Sequence, residues 1–317
     1  MKIVLMEPLG VAAEKIDEMA EALRGQGHEF IAYDSIASDE KDMIDRAKSA
    51  DVLMIANHPL PASVIDAADH LKMISVAFVG VDHIALETCK ERGILISNAA
   101  GYCDDAVAEL ALGMSLNLLR YGREADQATR EGKTRLGLIG NELAGKTVGI
   151  IGTGAIGLRT AELFKAFRCN LIGYSRSERE EAKALGLTYK SLIEVMEESD
   201  IVSVHTPLTP ATKGMISRDL IGRMKKDALL INVARGPIVD NQALAEALNN
   251  DAIRGAGIDV FDMEPPLPAE EPLHGAKNVW LAPHVAFATK ESIERRAQIT
   301  FDNVAMWMDG KPQNVKG

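Results

Sequence analysis

The 317-residue chain predicts an α/β fold of two doubly wound parallel-sheet domains, and three observations predict it. Short apolar runs alternate with amphipathic stretches of helical period along most of the chain. A long amphipathic helix near the first third, Asp104 to Arg120, divides that alternation into two series. The second series opens on a glycine-rich turn, Gly152-Thr153-Gly154-Ala155-Ile156-Gly157, set between a strand and a helix.

In the first series, strands are expected at Lys2–Met6, Glu29–Tyr33, Val52–Ala56, Met73–Ala77 and Ile94–Ser97. Helices are expected between them at Ala12–Arg24, Glu40–Ala50, Ala62–Ala68 and Ile84–Arg92. A strand followed by a helix of this length must cross over before the next strand, which makes a parallel sheet. Asp104 and Asp105 place acidic charge in the first turn of the long helix, where the helix dipole favours it. That helix is expected to bridge two domains. Tyr121 to Glu142 is polar and less regular, and reads as an arm or loop able to meet another subunit.

In the second series, strands are expected at Thr147–Ile151, Asn170–Tyr174, Ile201–His205, Ala228–Val233, Gly255–Asp259 and Val279–Ala282. Helices fall near Ala155–Phe167, Leu192–Glu198, Ser217–Arg223 and Gln242–Asn250. The proline-rich run from Glu264 to Pro272 must be loop. A last helix, Lys290 to Asp309, has no strand expected after it and returns to the first domain. The expected division is therefore discontinuous: residues 1–98 with about 290–317, and residues 99–289.

Composition bounds the function. Hydrophobic residues are 47% and charged residues 26%, and the formal net charge is −11. That balance argues against nucleic acid or an anionic membrane as partner. Cys89, Cys103 and Cys169 form no metal-binding or redox spacing, so no metal is expected and the compartment reads as reducing. The N-terminus turns polar too soon for a signal peptide, and no apolar run is long enough to span a bilayer. A cytoplasmic location is the expectation.

In an open α/β sheet, ligands bind beyond the carboxyl ends of the strands, so those ends are where chemistry is sought. At the glycine turn, Gly152 permits the tight exit from the strand, Gly154 lets backbone approach a pyrophosphate, and Gly157 lets the helix pack closely. Thr153, Ala155 and Ile156 complete this Rossmann-like dinucleotide cradle. An acidic residue about 20 residues further on would bind the ribose 2′-OH of NAD. Ser175 stands there instead, followed by Arg176, which suits the extra phosphate of NADP; NAD or NADP both stay open, with NADP slightly favoured. His205 ends the next strand and either lines the cofactor site or serves structure. Arg235 ends another strand before Gly236-Pro237, where a guanidinium makes a good carboxylate clamp. Asp259, Glu264 and His284 follow on later strand ends. An Arg to polarise a carbonyl, a His as acid/base and a Glu to tune it form a complete set for reducing a 2-oxo acid. In the first series, Phe78-Val79-Gly80 ends a strand where backbone N–H groups can turn towards an anion.

These stretches resemble the D-isomer-specific 2-hydroxyacid dehydrogenase family over essentially the whole length. The resemblance rests on GTGAIG (152–157), HTPLTPAT (205–212), INVARGPIVD (231–240), GIDVFDMEP (257–265) and APHVAFAT (282–289). It implies two Rossmann-like domains with the active site in the cleft between them, and a homodimer. It implies that Arg235 binds the substrate carboxylate and carbonyl, that His284 donates the proton and that Glu264 is its hydrogen-bonded partner. Asp259 resembles the residue that holds the nicotinamide carboxamide. Further cofactor contacts are implied at Val107, His205, Thr206, Pro207, Thr212, Val233 and Ala234. Phe78, Val79, Gly80 and Asn98 are implied on the substrate side.

The sequence departs from the family pattern in three places: Ser175 lacks the acidic group, Phe78 replaces a smaller residue, and Ala286 replaces a frequent glycine. Small acids such as glyoxylate or hydroxypyruvate are favoured as substrates, since no extra basic residue near Phe78 marks a phosphate site. A pocket for a branched side chain between Phe78 and Phe287 is the alternative. A non-catalytic, dinucleotide-sensing corepressor and a formate dehydrogenase are the rival classes.

Overall fold

The computed structural model describes residues 1–316, which form two compact units: Met1–Cys103 with the C-terminal stretch from Ala288, and Asp104–Phe287. The first unit holds β1 (Lys2–Leu5), α1 (Ala13–Gly25), β2 (Glu29–Ala32), α2 (Glu40–Ala47), β3 (Val52–Ile55), α3 (Ala62–Ala67), β4 (Met73–Val76), α4 (Leu86–Glu91) and β5 (Leu95–Asn98). The second holds α5 (Asp104–Arg120), α6 (Gly122–Arg130), β6 (Thr147–Ile151), α7 (Ala155–Ala166), β7 (Asn170–Tyr174), α8 (Glu180–Ala184), β8 (Thr188–Tyr189), α9 (Leu192–Glu198) and β9 (Ile201–Val204). It continues through α10 (Arg218–Ile221), β10 (Leu229–Asn232), α11 (Asn241–Asn249), β11 (Gly255–Ile258) and β12 (Val279–Leu281), with short 3₁₀ turns at Gly236–Ile238 and Pro272–Gly275. The chain then returns to the first unit with α12 (Lys290–Met308) and β13 (Val315–Lys316).

The first sheet has the order β13-β5-β4-β3-β1-β2, with β1 to β5 all parallel. β3 and β4 are buried on both faces, which is why their sequences VLMI and MISV read as unbroken runs rather than alternations. One covering layer includes α1 and α12. Ala297, Phe301 and Val304 of α12 are buried there, and the Phe301 ring meets Phe30 of β2 at 5.5 Å between centroids. Burying one such phenylalanine contributes about 1.5–3 kcal/mol. The Thr289 hydroxyl caps α12 by accepting from the Ser292 N–H, and the Ser292 hydroxyl accepts in turn from the Thr289 N–H.

The second sheet has the order β12-β11-β10-β9-β6-β7-β8 and is parallel throughout. Strand order reverses between β6 and β9, the topological switch point where such sheets open a crevice. α5 and α7 pack against each other, and α5 also packs on β10 and β11.

Two expectations are corrected. The stretch from Tyr121 read as irregular, yet Gly122–Arg130 is a helix. None of its residues is buried, so it lacks the apolar stripe that marks a helix in sequence. The last helix is followed by a strand after all: β13 pairs antiparallel with β5, Val315 opposite Ser97 and Lys316 opposite Ile96. Two exposed residues carry no periodic signal. The short elements α8 and β8 lie in a stretch for which no element was expected, and five and two residues are too few to show a period.

Candidate active site

The glycine turn sits where β6 gives way to α7. Gly152 has φ +95°, and a side chain there would press on the carbonyl of His205 and the Thr206 nitrogen at 2.8 Å. A Cβ on Gly157 would run into the carbonyl of Gly152. The switch point thus closes tightly on itself on its inner side. On the outer side, a Cβ at Gly154 would meet nothing within 4 Å. No side chain caps α7, whereas Asp39, Ser191, Asp240 and Thr289 cap other helices. The first helical hydrogen bond is Leu158 N–H to Gly154 O, so the donors before it stand ready for an anion.

Three strand-end loops surround this turn in the second unit. Beyond β7, Ser175 is half-buried, and Arg176 is exposed with no acidic partner among the described residues. The nearest acidic residue in that loop, Glu178, pairs with Lys183 at 2.9 Å. Beyond β9, His205 shares a 2.8 Å hydrogen bond through Nε2 with the Ser203 hydroxyl. Its Nδ1 is sealed from solvent without a hydrogen-bond partner, and burial pulls its pKa down to about 3. The neutral ring therefore serves as packing beneath the glycine turn. The loop that follows is tied to itself. The Thr212 hydroxyl donates to Pro207 O at 2.6 Å and accepts from the Thr209 N–H at 2.8 Å, which fixes Thr206–Thr212.

Beyond β10, Val233 is buried and Ala234 half-buried. Asn232, itself fully buried, clips this turn from both sides. Its side-chain NH₂ donates to Arg235 O at 3.0 Å, and its Oδ1 accepts from the Ala234 N–H at 3.1 Å. Arg235 is half-buried, and its Nη1 donates to Ala234 O at 2.8 Å.

The last strand ends bring Glu264 and His284 together. Glu264 follows β11 and His284 follows β12, twenty residues apart, yet Nδ1 of His284 lies 2.8 and 2.9 Å from the two Glu264 carboxylate oxygens. The carboxylate accepts, so Nδ1 carries the hydrogen of this bond. The His284 side chain is only 14% exposed while Glu264 is 65% exposed. The Phe287 ring stands edge-on to the imidazole at 5.5 Å. Asp259, fully buried, braces the loop. One carboxylate oxygen accepts from the Val285 N–H at 2.8 Å, the other from the Ala286 N–H at 2.9 Å, and its backbone carbonyl accepts from the His284 N–H. Burial pushes the Asp259 carboxyl above its usual range, and the two amide donors act against that shift. Val107 is buried on α5.

In the first unit, Val79 and Gly80 are half-buried beyond the end of β4. Asn98 is fully buried, and its NH₂ donates to Val79 O, which sets the shape of that loop from β5. Phe78 is turned into the core, under the Arg296 guanidinium at 5.2 Å and beside the Tyr102 ring at 6.0 Å.

A family model described as D-isomer specific 2-hydroxyacid dehydrogenase, NAD binding domain, matches residues 112–286. The chain belongs to this family. As a D-isomer specific 2-hydroxyacid dehydrogenase it is an oxidoreductase that uses a nicotinamide cofactor. It is 37% identical over 290 residues to a glyoxylate reductase of Korarchaeum cryptofilum, covering 89% of this chain and 87% of that one. It is 31% identical to a hydroxypyruvate reductase of Blautia hydrogenotrophica, covering 99% of each. Among solved structures, an acyclic imino acid reductase in complex with NADPH and D-Arg superposes with a TM-score of 0.90 over the whole of both chains, at 28% identity. Both sheets of the dehydrogenase, parallel but for β13, match the fold class its sequence predicts. No helix among its described residues is long and apolar enough to cross a membrane.

The second unit of the dehydrogenase fits a dinucleotide on its own geometry, through the uncapped α7 donors and the open face at Gly154. Asn232 and Tyr189, whose phenolic oxygen lies 2.7 Å from the Thr153 hydroxyl, belong to no motif in the sequence. A lone asparagine ending the apolar run LLIN was the available signal for the first. Nothing local marked the second.

Proposed function

We propose that the protein reduces small unphosphorylated 2-oxo acids, glyoxylate and hydroxypyruvate foremost, to the D-2-hydroxy acids with NADPH. The observation that carries the reaction is the His284–Glu264 pair, a proton-bearing imidazole held at 2.8 Å by a carboxylate from a different strand end. The names of the glyoxylate and hydroxypyruvate reductases similar to this chain support the substrate class. Ser175 and Arg176 beyond β7, and the pairing of Glu178 with Lys183, favour NADPH over NADH.

In this reading the second unit is the dinucleotide domain and the first is the substrate domain. The α7 N-terminus and the 152–157 turn hold the pyrophosphate, Arg176 takes the 2′-phosphate, and Ser175 lies beside it. Residues 205–212, Val233, Ala234, Asp259 and Val107 line the rest of the dinucleotide. When bound, the nicotinamide supplies the hydride for reduction and accepts it for oxidation. Arg235 pairs with the substrate carboxylate and steadies negative charge on the carbonyl oxygen, two donors meeting two acceptors. Val79 and Gly80 offer backbone N–H groups to the carboxylate, and Asn98 holds that loop in shape. Nε2 of His284 gives its proton to the carbonyl oxygen in reduction and takes one from the hydroxyl in oxidation. Glu264, by accepting from Nδ1, fixes the ring so that Nε2 faces the carbonyl oxygen.

The same proposal places the enzyme in the cytoplasm as a homodimer. Support for a subunit contact comes from the segment after α6, where Leu136 is 91% and Ile139 80% exposed. Steady-state assay of the purified protein against glyoxylate, hydroxypyruvate and branched 2-oxo acids, with each cofactor, tests the reading. Turnover of the first two with NADPH is expected. Preference for a branched acid, or for NADH, overturns the corresponding half.

A further inference from the structure

One side chain outside the assignments above spans the two parts of the dinucleotide cradle. Tyr189, half-buried on β8, places its phenolic oxygen 2.7 Å from the hydroxyl of Thr153, the second residue of the glycine turn. The same oxygen accepts from the Arg179 N–H at 3.0 Å. Arg179 is the residue at which the loop beyond β7 ends and α8 begins. In the sheet, β7 lies between β6 and β8, and Tyr189 is paired with Gly173 of β7. The phenol therefore bars the carboxyl end of β7, tying the far end of the 175–179 loop to the turn that follows β6.

We propose that Tyr189 is a positioning residue for the adenosine 2′-phosphate of NADPH. Its role rests on the reading of Arg176 as the 2′-phosphate contact. Arg176 sits on a five-residue loop whose near end is fixed by β7, through the hydrogen bond from Gly152 N–H to Tyr174 O. Its far end is fixed at Arg179 by the phenol. A loop pinned at both ends presents its guanidinium at a set distance from the pyrophosphate turn, so less ordering is required when the nucleotide binds. NADH lacks the 2′-phosphate and has little to gain from that preorganisation. Thr153 is buried and cannot follow the loop if the bond is lost.

The test compares Tyr189→Phe, Arg176→Ala and the double variant by calorimetric binding of NADPH and NADH, with hydrogen exchange across residues 175–182 of the protein without nucleotide. Tyr189→Phe removes one oxygen from a partly exposed side chain. It is expected to raise the Kd for NADPH about 10-fold and that for NADH less than about 2-fold, with kcat at saturating NADPH unchanged. Exchange in 175–182 is expected to quicken, and in the Arg176→Ala background the phenylalanine should add little further loss. If Arg176→Ala leaves NADPH binding unchanged, the 2′-phosphate reading falls and the role of Tyr189 falls with it. If Arg176→Ala weakens NADPH binding while Tyr189→Phe does not, the phosphate reading stands and Tyr189 is not its support. Equal losses for the two nucleotides would make Tyr189 a prop of the glycine turn and overturn the proposal.

Discussion

His284 has φ +55°, in the left-handed region that a histidine seldom occupies. Such a conformation persists where the surroundings over-determine it, and here one residue does so. Asp259 collects three successive amides, those of His284 on its carbonyl and of Val285 and Ala286 on its two carboxylate oxygens. Asparagine in its place keeps the size but has only one acceptor oxygen, and it turns an NH₂ against an amide N–H. Asp259→Asn is expected to lower kcat for the 2-oxo acid by roughly 10- to 100-fold, the rate equivalent of losing a buried hydrogen bond. An unchanged kcat in steady-state assay would show that His284 holds its place without this brace. His205 gives a second residue-scale prediction. Its folded pKa, about 3, lies below the value near 6.5 of an unfolded histidine. The unfolded chain therefore takes up the proton first, and stability is lost as pH falls from about 6.5 towards 3. At pH 5.5 the loss from this one group is roughly 1 kcal/mol. Urea unfolding at pH 7.5 and 5.5 checks it: His205→Gln should lose less of its midpoint between the two pH values than the parent does. Parallel shifts would show that the ring is not held neutral.

At the scale of elements, legibility followed the physical cause of each signal. β3, β4, β9 and β10 were readable because both faces are buried and their sequences are apolar almost without interruption. α5 was readable to its end residues because acidic charge opens it. α6 and β13 were not, since one has no buried face and the other is two exposed residues ordered only by pairing with β5. The site divides in the same way. Gly152–Gly157, Arg235, Glu264 and His284 declare themselves because strand ends are where the sheet delivers ligands, and their identities suit the chemistry. What the sequence leaves unseen is support delivered from a distance. Tyr189 reaches Thr153 across 36 positions, and Asp259 reaches Val285 and Ala286 across 26 and 27. No local pattern marks such partners, because the register of the sheet is what brings them together. Even Asn232, adjacent to the loop it clips, reads as an ordinary strand end until its two hydrogen bonds are seen.

For the whole molecule, the distribution of core and site suggests how much of the chain dinucleotide binding needs. Asp104–Phe287 is continuous in sequence, carries a complete seven-stranded sheet and encloses its own apolar core, in which Ile151, Val204, Leu230, Leu244 and Ile258 are all buried. Every residue assigned to the dinucleotide falls inside it, from Val107 to Asp259. A continuous segment of this size, with one core, is within the range that folds alone. The first unit differs, because its sheet is completed by β13 and its core by α12, both from the far end of the chain. The segment 104–287, expressed by itself, is expected to unfold cooperatively in urea and to bind NADPH with a Kd within about 10-fold of the full chain, since it loses no contact assigned to the nucleotide. It lacks Val79, Gly80 and Asn98 and is expected to reduce no 2-oxo acid. A non-cooperative transition, or loss of NADPH binding in calorimetry, would mean that residues of the first unit are needed to form the nucleotide site.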